Sequence, residues 1–556
     1  MFTSCSVQNG SMSSHLENIS RGTLGMVFLL LVCYLLSNNK KAINWKLAGM
    51  GVFAQLMFAM GVLNTKIAGQ PVFWVFFGII LSYIIVKRVI RTQRNTATVT
   101  FNRLSIVLAI AWQSIFFFGI IRSAVFSNNG ITVLLSIILL GFIIKWLFLR
   151  SIEILKWSVL CSLAILTISI YTKVCNPDIF KIILEHISSA FVALINLSHK
   201  GTEFLFGNLA DDKQSWAFIF AVQVLPNIIF FAALSSVLYY LGILQKIVYV
   251  FAYLLNKLNI SGAESLSTAA NIFLGQTEAP IMIRPYLEKM TRSEMLCIMI
   301  GGMANTAGSV LAAYVGFLGG GDEAQQHYFA LHMLSQSIMS APAAIVCSKI
   351  IFPQPAPNLI VKDLTIPKEK LGDNFLDALS LGTTDGLKLA VNVGAMLIVF
   401  TALMWVANAL LGWVGDITHL NGQIKLVTAG RYETLSLNML LGYIFAPVAW
   451  LIGVAQADMV AIGQLLGEKT ILNEFYAYIS LAEMKQNNLI SSSKSLLIAT
   501  YALCGFANFA SIGIQIGGIS QLAPNQRKNL TELGVKALIG GTIACLMCGC
   551  IAGMLT

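Results

Sequence analysis

Long apolar segments dominate this sequence. Hydrocarbon requires roughly 20 apolar residues per helical span, and lipid offers no hydrogen bonds to backbone amides. Hydrophobic residues make up 57% of the chain and charged residues only 11%. Segments long enough to span a bilayer lie near residues 22–37, 48–65, 72–87, 103–122, 130–148, 154–172, 217–241, 293–317, 329–350, 388–413, 495–516 and 531–554. The sequence therefore predicts an all-α integral membrane protein.

Positively charged side chains cluster at the ends of these segments. The formal net charge is +11, and a basic chain can in principle bind nucleic acid. Here the basic residues form short groups beside apolar segments, such as Lys40 with Lys41 and Lys87 with Arg88. That distribution is typical of cytoplasmic loops. It predicts a multi-pass membrane protein with both termini on the extracytoplasmic side, and it disfavours a nucleic-acid partner.

Two stretches interrupt the pattern of simple spans. In residues 261–290, polar residues 275–278 separate two short apolar segments, and residues 472–475 divide the stretch 456–484 in the same way. Each stretch predicts a re-entrant helical hairpin, and a segment rich in small and polar residues follows each one. By the predicted topology the hairpins enter the membrane from opposite sides. Such a repeat is typical of secondary transporters with a binding site near the membrane midplane.

The predicted hairpin tips carry two carboxylates, Glu278 and Glu474. An acid at the bilayer centre costs roughly 2.5–3.5 kcal/mol, so it usually has a function. The alternative is that each carboxylate only caps a helix end. The neighbouring polar groups are those of Gln276, Thr277, Asn508 and Ser511. Because they include no basic side chain, the sequence favours an uncharged substrate rich in hydrogen-bond donors over an anion.

Asn271 and the polar residues Asn305 and Thr306 are candidate ligands for a cation. Interrupted helices expose backbone carbonyls, which together with amide and hydroxyl oxygens can surround a hard cation such as sodium. Asn and Thr also hold membrane helices together by hydrogen bonds. From the residues alone, both interpretations remain open.

Several segments resemble the concentrative nucleoside transporter family, in its bacterial form. They are SGAESLSTAANIFLGQTEAP from Ser261, MSAPAAIVCSKIIFP from Met339, DGLKLAVNVGAML from Asp385, LLGEKTILNEFYAY from Leu465 and TYALCGFANFASIGIQIGG from Thr500. The resemblance covers residues 21–66 and 185–556. It implies a sodium-coupled symporter of a bacterial inner (plasma) membrane that imports nucleosides as a homotrimer. A transport domain in each protomer is expected to move like an elevator against a fixed scaffold.

The resemblance also implies roles for individual residues. Those expected to face the nucleobase are Gln276, Thr277, Glu278 and Val310. Those expected to face the ribose and the base edge are Glu474, Phe506, Asn508 and Ser511. Those expected to form the sodium site are Asn271, the backbone of Leu274, Asn305 and Thr306.

The chain departs from the family pattern in two places. The family commonly has Ser or Thr followed by Ile where this chain has Asn305 and Thr306, so protons are the alternative coupling ion. Residues 71–175 contain four additional apolar spans, and their even number preserves the topology on either side.

The predicted domain organisation follows the chain. It consists of N-terminal helices (1–70), an inserted block of four spans (71–175), interfacial and scaffold helices (176–260), the first hairpin with its broken helix (261–320), scaffold helices with a cytoplasmic connection (321–415), and the second hairpin with its broken helix and a C-terminal helix (440–556).

Two other classes of function are compatible with a membrane protein of this kind. A nucleoside-binding gate or sensor would use the same hairpins without active transport. A membrane enzyme would need acid/base or nucleophilic groups, but the six histidines lie away from the interrupted segments. The sequence therefore predicts that the protein is not an enzyme.

Overall fold

The computed structural model describes residues 3–62, 66–67, 70–71, 179–210, 219–354, 372–428 and 430–556. The chain forms two compact units, one comprising Met1–Leu56 with Glu185–Thr556 and the other Met57–Leu184. In the second unit, strands β1 (Lys66–Ile67) and β2 (Gln70–Pro71) pair antiparallel. Residues 72–175 of the predicted inserted block lie outside the described residues.

Helices make up nearly all of the described chain, as the sequence predicts. In the N-terminal part they are α1 (Thr3–Leu35), α2 (Trp45–Val62), α3 (Ile179–Phe206), α4 (Phe220–Gln223), α5 (Leu225–Tyr240) and α6 (Ile243–Asn256). Then follow α7 (Gly262–Ala270), α8 (Arg284–Leu287), α9 (Arg292–Ala304), α10 (Gly308–Gly319), α11 (Glu323–Ile351), α12 (Phe375–Ile417) and α13 (Leu420–Val427). The last are α14 (Leu437–Leu451), α15 (Met459–Ile471), α16 (Glu474–Gln486), α17 (Ser493–Leu503), α18 (Phe509–Leu522) and α19 (Arg527–Leu555).

Six segments of the described chain are long and apolar enough to cross a membrane. They are Glu17–Leu35, Phe220–Tyr240, Arg292–Gly319, Glu323–Ile351, Phe375–Ile417 and Pro524–Leu555. Each corresponds to a predicted span, and the predicted span 48–65 overlaps the shorter apolar helix Trp45–Met60. The predicted span 495–516 is not continuous, because helices α17 and α18 meet there at an interruption.

The first hairpin consists of α7 and a second limb formed by the short 3-10 helix Ala279–Ile283 and α8. Helix α7 begins at a capping box in which Ser261 and Glu264 satisfy each other's backbone amides. Pro280 and Pro285 lie in the first turns of the two short helices, where a missing amide proton costs nothing. The second limb is therefore divided. The non-helical residues 271–278 form the tip.

The second hairpin consists of α15 and α16, which meet at Leu472 and Asn473. The Asn473 side chain caps α16 by accepting a hydrogen bond from the backbone N–H of Tyr476, at 2.8 Å. Helix α14 packs closely along α15. The two backbones lie so near each other that a Cβ added at Gly463 would be only 2.4 Å from the carbonyl oxygen of Gly442. Glu474 therefore occupies the first turn of α16, as predicted for a hairpin tip.

Each hairpin is followed by a broken helix, and the two breaks lie against each other. Helices α9 and α10 are interrupted at residues 305–307, and α17 and α18 at 504–508. The backbone N–H of Phe506 donates to the carbonyl oxygen of Asn305 at 3.3 Å. Gly505 has a φ of +137°, and a Cβ there would lie 2.7 Å from the Ala304 carbonyl oxygen. The predicted fold of two hairpins and two broken helices is confirmed.

Asp458 fastens the two ends of the second hairpin outside the membrane-spanning segments. Its buried carboxylate accepts hydrogen bonds from Ser491 N–H (2.9 Å), the Ser491 hydroxyl (2.8 Å) and Ser492 N–H (3.1 Å). Burial raises the pKa of Asp458, but hydrogen bonds from Ser491, Ser495 and Ser492 outweigh it, so the net shift is downward. The stability it contributes is therefore present at neutral pH and is lost as the pH falls through the lowered pKa.

We expect Asp458→Asn to lower the free energy of unfolding by about 1.5–3 kcal/mol at neutral pH, because an amide replaces a charged acceptor of several hydrogen bonds. Thermal unfolding of the detergent-purified protein measures this loss. The exposed residue Asp373 provides the matched control Asp373→Asn. Below about pH 4, where aspartate is protonated in the unfolded chain, the difference from wild type should shrink. A pH-independent difference would contradict the assignment.

Candidate substrate-binding site

A cavity of about 880 Å³ lies where the hairpin tips and the helix breaks converge. Helices α5 and α12 complete its wall. All eight residues expected to contact substrate line it: Gln276, Thr277, Glu278, Val310, Glu474, Phe506, Asn508 and Ser511. The structure thus brings together groups that are up to 235 positions apart in the chain. Their roles in binding remain a prediction.

Gln276 connects the first hairpin tip to the second broken helix. Its side-chain amide donates to the Ser511 hydroxyl at 3.3 Å, while its Oε1 atom is buried and has no partner among the described residues. A Cβ at Gly302 would lie 3.0 Å from the Gln276 Cβ, so glycine allows the tip to approach α9 closely. The unsatisfied oxygen retains its full capacity to accept hydrogen bonds.

Glu474 is buried and held by two donors. The Tyr314 hydroxyl donates to its Oε1 atom at 3.1 Å, and the Asn508 amide donates to its Oε2 atom at 2.7 Å. The Asn508 oxygen also accepts from the backbone N–H of Ser511 at 2.9 Å and so caps α18. Each carboxylate oxygen has further acceptor capacity. Glu474 is therefore fixed in orientation and still able to accept from ligand hydroxyl groups.

Tyr314 was not among the predicted site residues. Its ring stacks on Tyr478 with ring centroids 4.2 Å apart and meets Phe475 edge-on at 5.1 Å. It lies four residues after Val310 in α10 and so on the same helix face. The four-residue spacing from Val310 is the sequence feature that could have indicated Tyr314 as a neighbour of the site.

Glu278 has a different environment from Glu474. Its side chain is exposed to the cavity, and its Oε2 atom accepts from the backbone N–H of Gly275 at 3.1 Å. This bond closes the turn at the hairpin tip. It is not the helix-capping role weighed for Glu278 from sequence, because the side chain makes no cap hydrogen bond to the 3-10 helix that begins at Ala279. The cavity-facing carboxylate nevertheless retains acceptor capacity for a ligand.

Polar residues of α5 and α12 form a part of the cavity wall that sequence reasoning missed. They are Ser235, Ser236 and Tyr239 on α5 and Asp385, Lys388 and Asn392 on α12. The α12 residues are spaced by three and four positions and so share one helix face. The sequence feature that could have indicated this polar face is the occurrence of polar residues at that spacing in an otherwise apolar span.

Of the predicted cation ligands, only Leu274 lines the cavity, while Asn271, Asn305 and Thr306 are buried behind the first hairpin tip. Neither side-chain polar atom of Asn271 has a partner among the described residues. Asn305 Oδ1 accepts from the Ser340 hydroxyl at 2.6 Å. The Thr306 hydroxyl lies 3.3 Å from the Cys504 sulfur.

These surroundings fit a hard monovalent cation at three of the four positions. The unsatisfied Asn271 oxygen is a suitable ligand, and Leu274 and Thr306 lie outside helices, so their carbonyls are not committed to helical hydrogen bonds. Asn305 fits less well. Its side-chain oxygen is bound to Ser340, and its carbonyl oxygen accepts from Phe506 N–H.

Such a fold and cavity define a multi-pass membrane transporter of the inverted-repeat class. Three family models match the chain: Na+ dependent nucleoside transporter N-terminus at residues 24–84, nucleoside recognition (gate) at 221–321, and Na+ dependent nucleoside transporter C-terminus at 332–553. The chain belongs to the concentrative nucleoside transporter family.

Relatives support this membership. An uncharacterized transporter of Haemophilus influenzae is 42% identical over 369 residues, which cover 65% of this chain and 82% of that protein. Sodium/nucleoside cotransporter 1 of Rattus norvegicus is 39% identical over 377 residues, and the match covers 54% of it, so the chain spans about half the length of this relative. The structure of CNTnw in an inward-facing substrate-bound state matches with a TM-score of 0.68 at 28% identity, covering 97% of this chain and 98% of that chain.

Gln336 of α11 holds the two helix breaks together. Its side-chain amide donates to the carbonyl oxygens of Ala304 (3.2 Å) and Cys504 (2.7 Å), which end the first halves of the broken helices.

We expect Gln336→Met to lower the free energy of unfolding by about 2–5 kcal/mol, because it leaves two buried carbonyls without this donor. Exposed Gln486 provides the control Gln486→Met. Equal melting temperatures of the two variants would rule out this role for Gln336.

Proposed function

We propose that this protein is a cation-coupled symporter that imports nucleosides across a bacterial inner membrane, with sodium as the coupling ion. The observation that carries the proposal is the cavity in which both hairpin tips present amide, hydroxyl and carboxylate groups. Its relatives include proteins named sodium/nucleoside cotransporters. Both chain termini are proposed to lie on the extracytoplasmic side.

Ribose recognition is assigned to the second hairpin and its broken helix. Glu474 is held between Tyr314 and Asn508, so it meets the sugar with little reorganisation. A carboxylate accepting from a ribose hydroxyl is left without that donor when the hydroxyl is missing, and such sites reject the deoxy analogue strongly. Phe506 and Ser511 complete this side of the proposed site.

Base recognition is assigned to the first hairpin. The Gln276 oxygen lacks a partner among the described residues, and Glu278 faces the cavity. Both can accept from the N–H groups of a nucleobase, while Thr277 offers a hydroxyl and Val310 an apolar surface. The proposed base site and ribose site therefore lie on different halves of the inverted repeat.

Sodium is proposed to bind behind the first hairpin tip, at Asn271, Leu274, Asn305 and Thr306. The ion would connect the tip to the first helix break and so order the base-binding residues beside it. One monovalent cation moving down 100 mV contributes about 2.3 kcal/mol, and a tenfold gradient adds about 1.4 kcal/mol. Together these support roughly several-hundred-fold accumulation at one ion per substrate.

Transport is proposed to proceed by elevator-like alternating access within a homotrimer. The related transporter CNTnw has been solved in inward-facing, intermediate and outward-facing states. The moving domain is assigned to residues 261–320 and 440–556, and the scaffold to 176–260 and 321–415. Val391, Ile398 and Trp405 are exposed at seven-residue intervals on α12, and such a stripe suits contact with another protomer or with lipid.

Proton coupling is the second candidate for the energy source. The observation that favours it is that each Asn305 oxygen already accepts one hydrogen bond, which leaves less capacity for sodium at this position. Uptake of radiolabelled uridine and adenosine into vesicles, with sodium or choline outside at two pH values, separates the two candidates. A nucleoside-binding gate or sensor would show no uptake against a gradient in either condition.

We expect wild-type protein to take up uridine roughly ten- to a hundredfold more efficiently than 3′-deoxyuridine, because the analogue removes a hydrogen bond to the charged Glu474. Glu474→Gln should lose most of this discrimination, as measured by competition for radiolabelled uridine uptake. The exposed residue Glu288 provides the control Glu288→Gln. Equal uptake of the two nucleosides by wild type would refute the ribose assignment.

Asn271→Ala should raise the sodium concentration required for half-maximal uridine uptake by about tenfold, since it removes one oxygen ligand. At saturating sodium, the apparent uridine affinity should stay close to that of wild type. Asn487, exposed at the end of α16, provides the control Asn487→Ala. Unchanged sodium dependence in Asn271→Ala would exclude this position as a sodium ligand.

A further inference from the structure

Glu468 is a buried acid that has no assigned role in the proposed transport cycle. It lies on α15, six residues before Glu474, and its relative exposure is 0%. The Gln464 amide donates to its Oε1 atom at 2.7 Å and the Asn438 amide to the same atom at 3.4 Å. Its Oε2 atom has no hydrogen-bond partner among the described residues.

The charge of Glu468 is not balanced by a basic side chain. None of the ion pairs between described residues includes it. By contrast, the buried Glu264 of the first hairpin pairs with Lys349. Lys469, next in sequence, instead donates to the Ala502 carbonyl oxygen at 2.9 Å. An ionised carboxylate buried in this way is strongly unfavourable, whereas a protonated one is not.

The titratable groups around Glu468 do not supply a counter-charge either. Helix α16 presents Glu483, an exposed acid of the same sign, and the phenol of Tyr476. Tyr432, which precedes α14, donates to Gln464 Oε1 at 3.1 Å. Ser480 of α16 also faces the carboxyl group, but its hydroxyl carries no charge. The surroundings therefore favour the neutral acid.

Glu468 is connected to the cavity-lining helix α12 through a single side chain. Asn438 of α14 donates to Glu468, and its own oxygen accepts from the Asn408 amide of α12 at 3.3 Å. Asn408 in turn accepts from the backbone N–H of Leu437 at 2.8 Å. Because α14 and α15 approach closely, there is little space to hydrate a charge between them. A change in the charge of Glu468 must therefore alter the packing of the second hairpin.

We propose that Glu468 is a proton-binding site of the second hairpin, and that the hairpin packs against α14 only when this carboxyl group is protonated. The proton comes from water on one side of the membrane and is released to water when the packing opens. The consequence for transport, a dependence on pH, rests on the proposed nucleoside symport. Protonation of the site itself does not.

The test compares wild type with Glu468→Gln, which is permanently neutral, and with Glu483→Gln as the matched control on the same hairpin. Uridine uptake into proteoliposomes is measured over a series of external pH values at saturating sodium. Wild type and Glu483→Gln should lose uptake as the pH rises, approaching about tenfold per pH unit on the alkaline side. Glu468→Gln should keep its uptake constant over the same range. A wild-type pH profile in Glu468→Gln would overturn the proposal.

Infrared difference spectroscopy of the purified protein measures the protonation of the carboxyl group directly. The C=O band of a protonated acid should decline with rising pH in wild type, and this pH-dependent component should be missing in Glu468→Gln. An identical band in both proteins would overturn the proposal. If wild type neither binds nor transports uridine, the proposed function fails, while the infrared result still decides whether Glu468 binds a proton.

Discussion

The fold depends on satisfying the backbone groups that two broken helices expose within the membrane. Hydrocarbon offers them no partner, so each break must find its hydrogen bonds in protein. Here the breaks satisfy one another: Phe506 N–H donates to Asn305, and Gln336 binds the carbonyls on which both first halves end. Gly505 provides the backbone conformation that this approach requires. A single break would leave backbone groups without hydrogen-bond partners, whereas the two breaks together supply partners for each other.

That pairing also creates the cavity. Because both breaks lie at the same place, the hairpin tips that precede them meet there, and acids far apart in sequence face one space. The two halves are not equivalent. Glu474 is buried and held by two side-chain donors, whereas Glu278 is exposed to the cavity and closes its own turn. The same architecture, used twice, thus offers one rigid and one accessible carboxylate.

The sequence predicted the elements that depend on local composition. Polar residues inside apolar segments marked the hairpins and breaks, since such interruptions are rarely tolerated in lipid, and the convergence of the tips followed from the inverted repeat. The break within the span 495–516 was indicated in the same way, by the small and polar residues between Cys504 and Gln515. Helical spacing indicates only that Tyr314 shares a face with Val310 and that Asp385 shares a face with other polar residues. Which of these faces meets the cavity depends on tertiary packing, so both residues were missed. The engagement of Asn305 by Ser340 likewise arises from contact between helices distant in sequence.

Helix α12 runs without a break for 43 residues, which corresponds to a length of about 65 Å. The hydrocarbon layer is only about 30 Å thick, so this helix must lie at a steep incline or project from the hydrocarbon on at least one side. Either arrangement leaves it longer than the distance between the two faces of the bilayer. A transport domain that moves along α12 would contact a continuous helical surface throughout its movement, whatever the local thickness of the lipid.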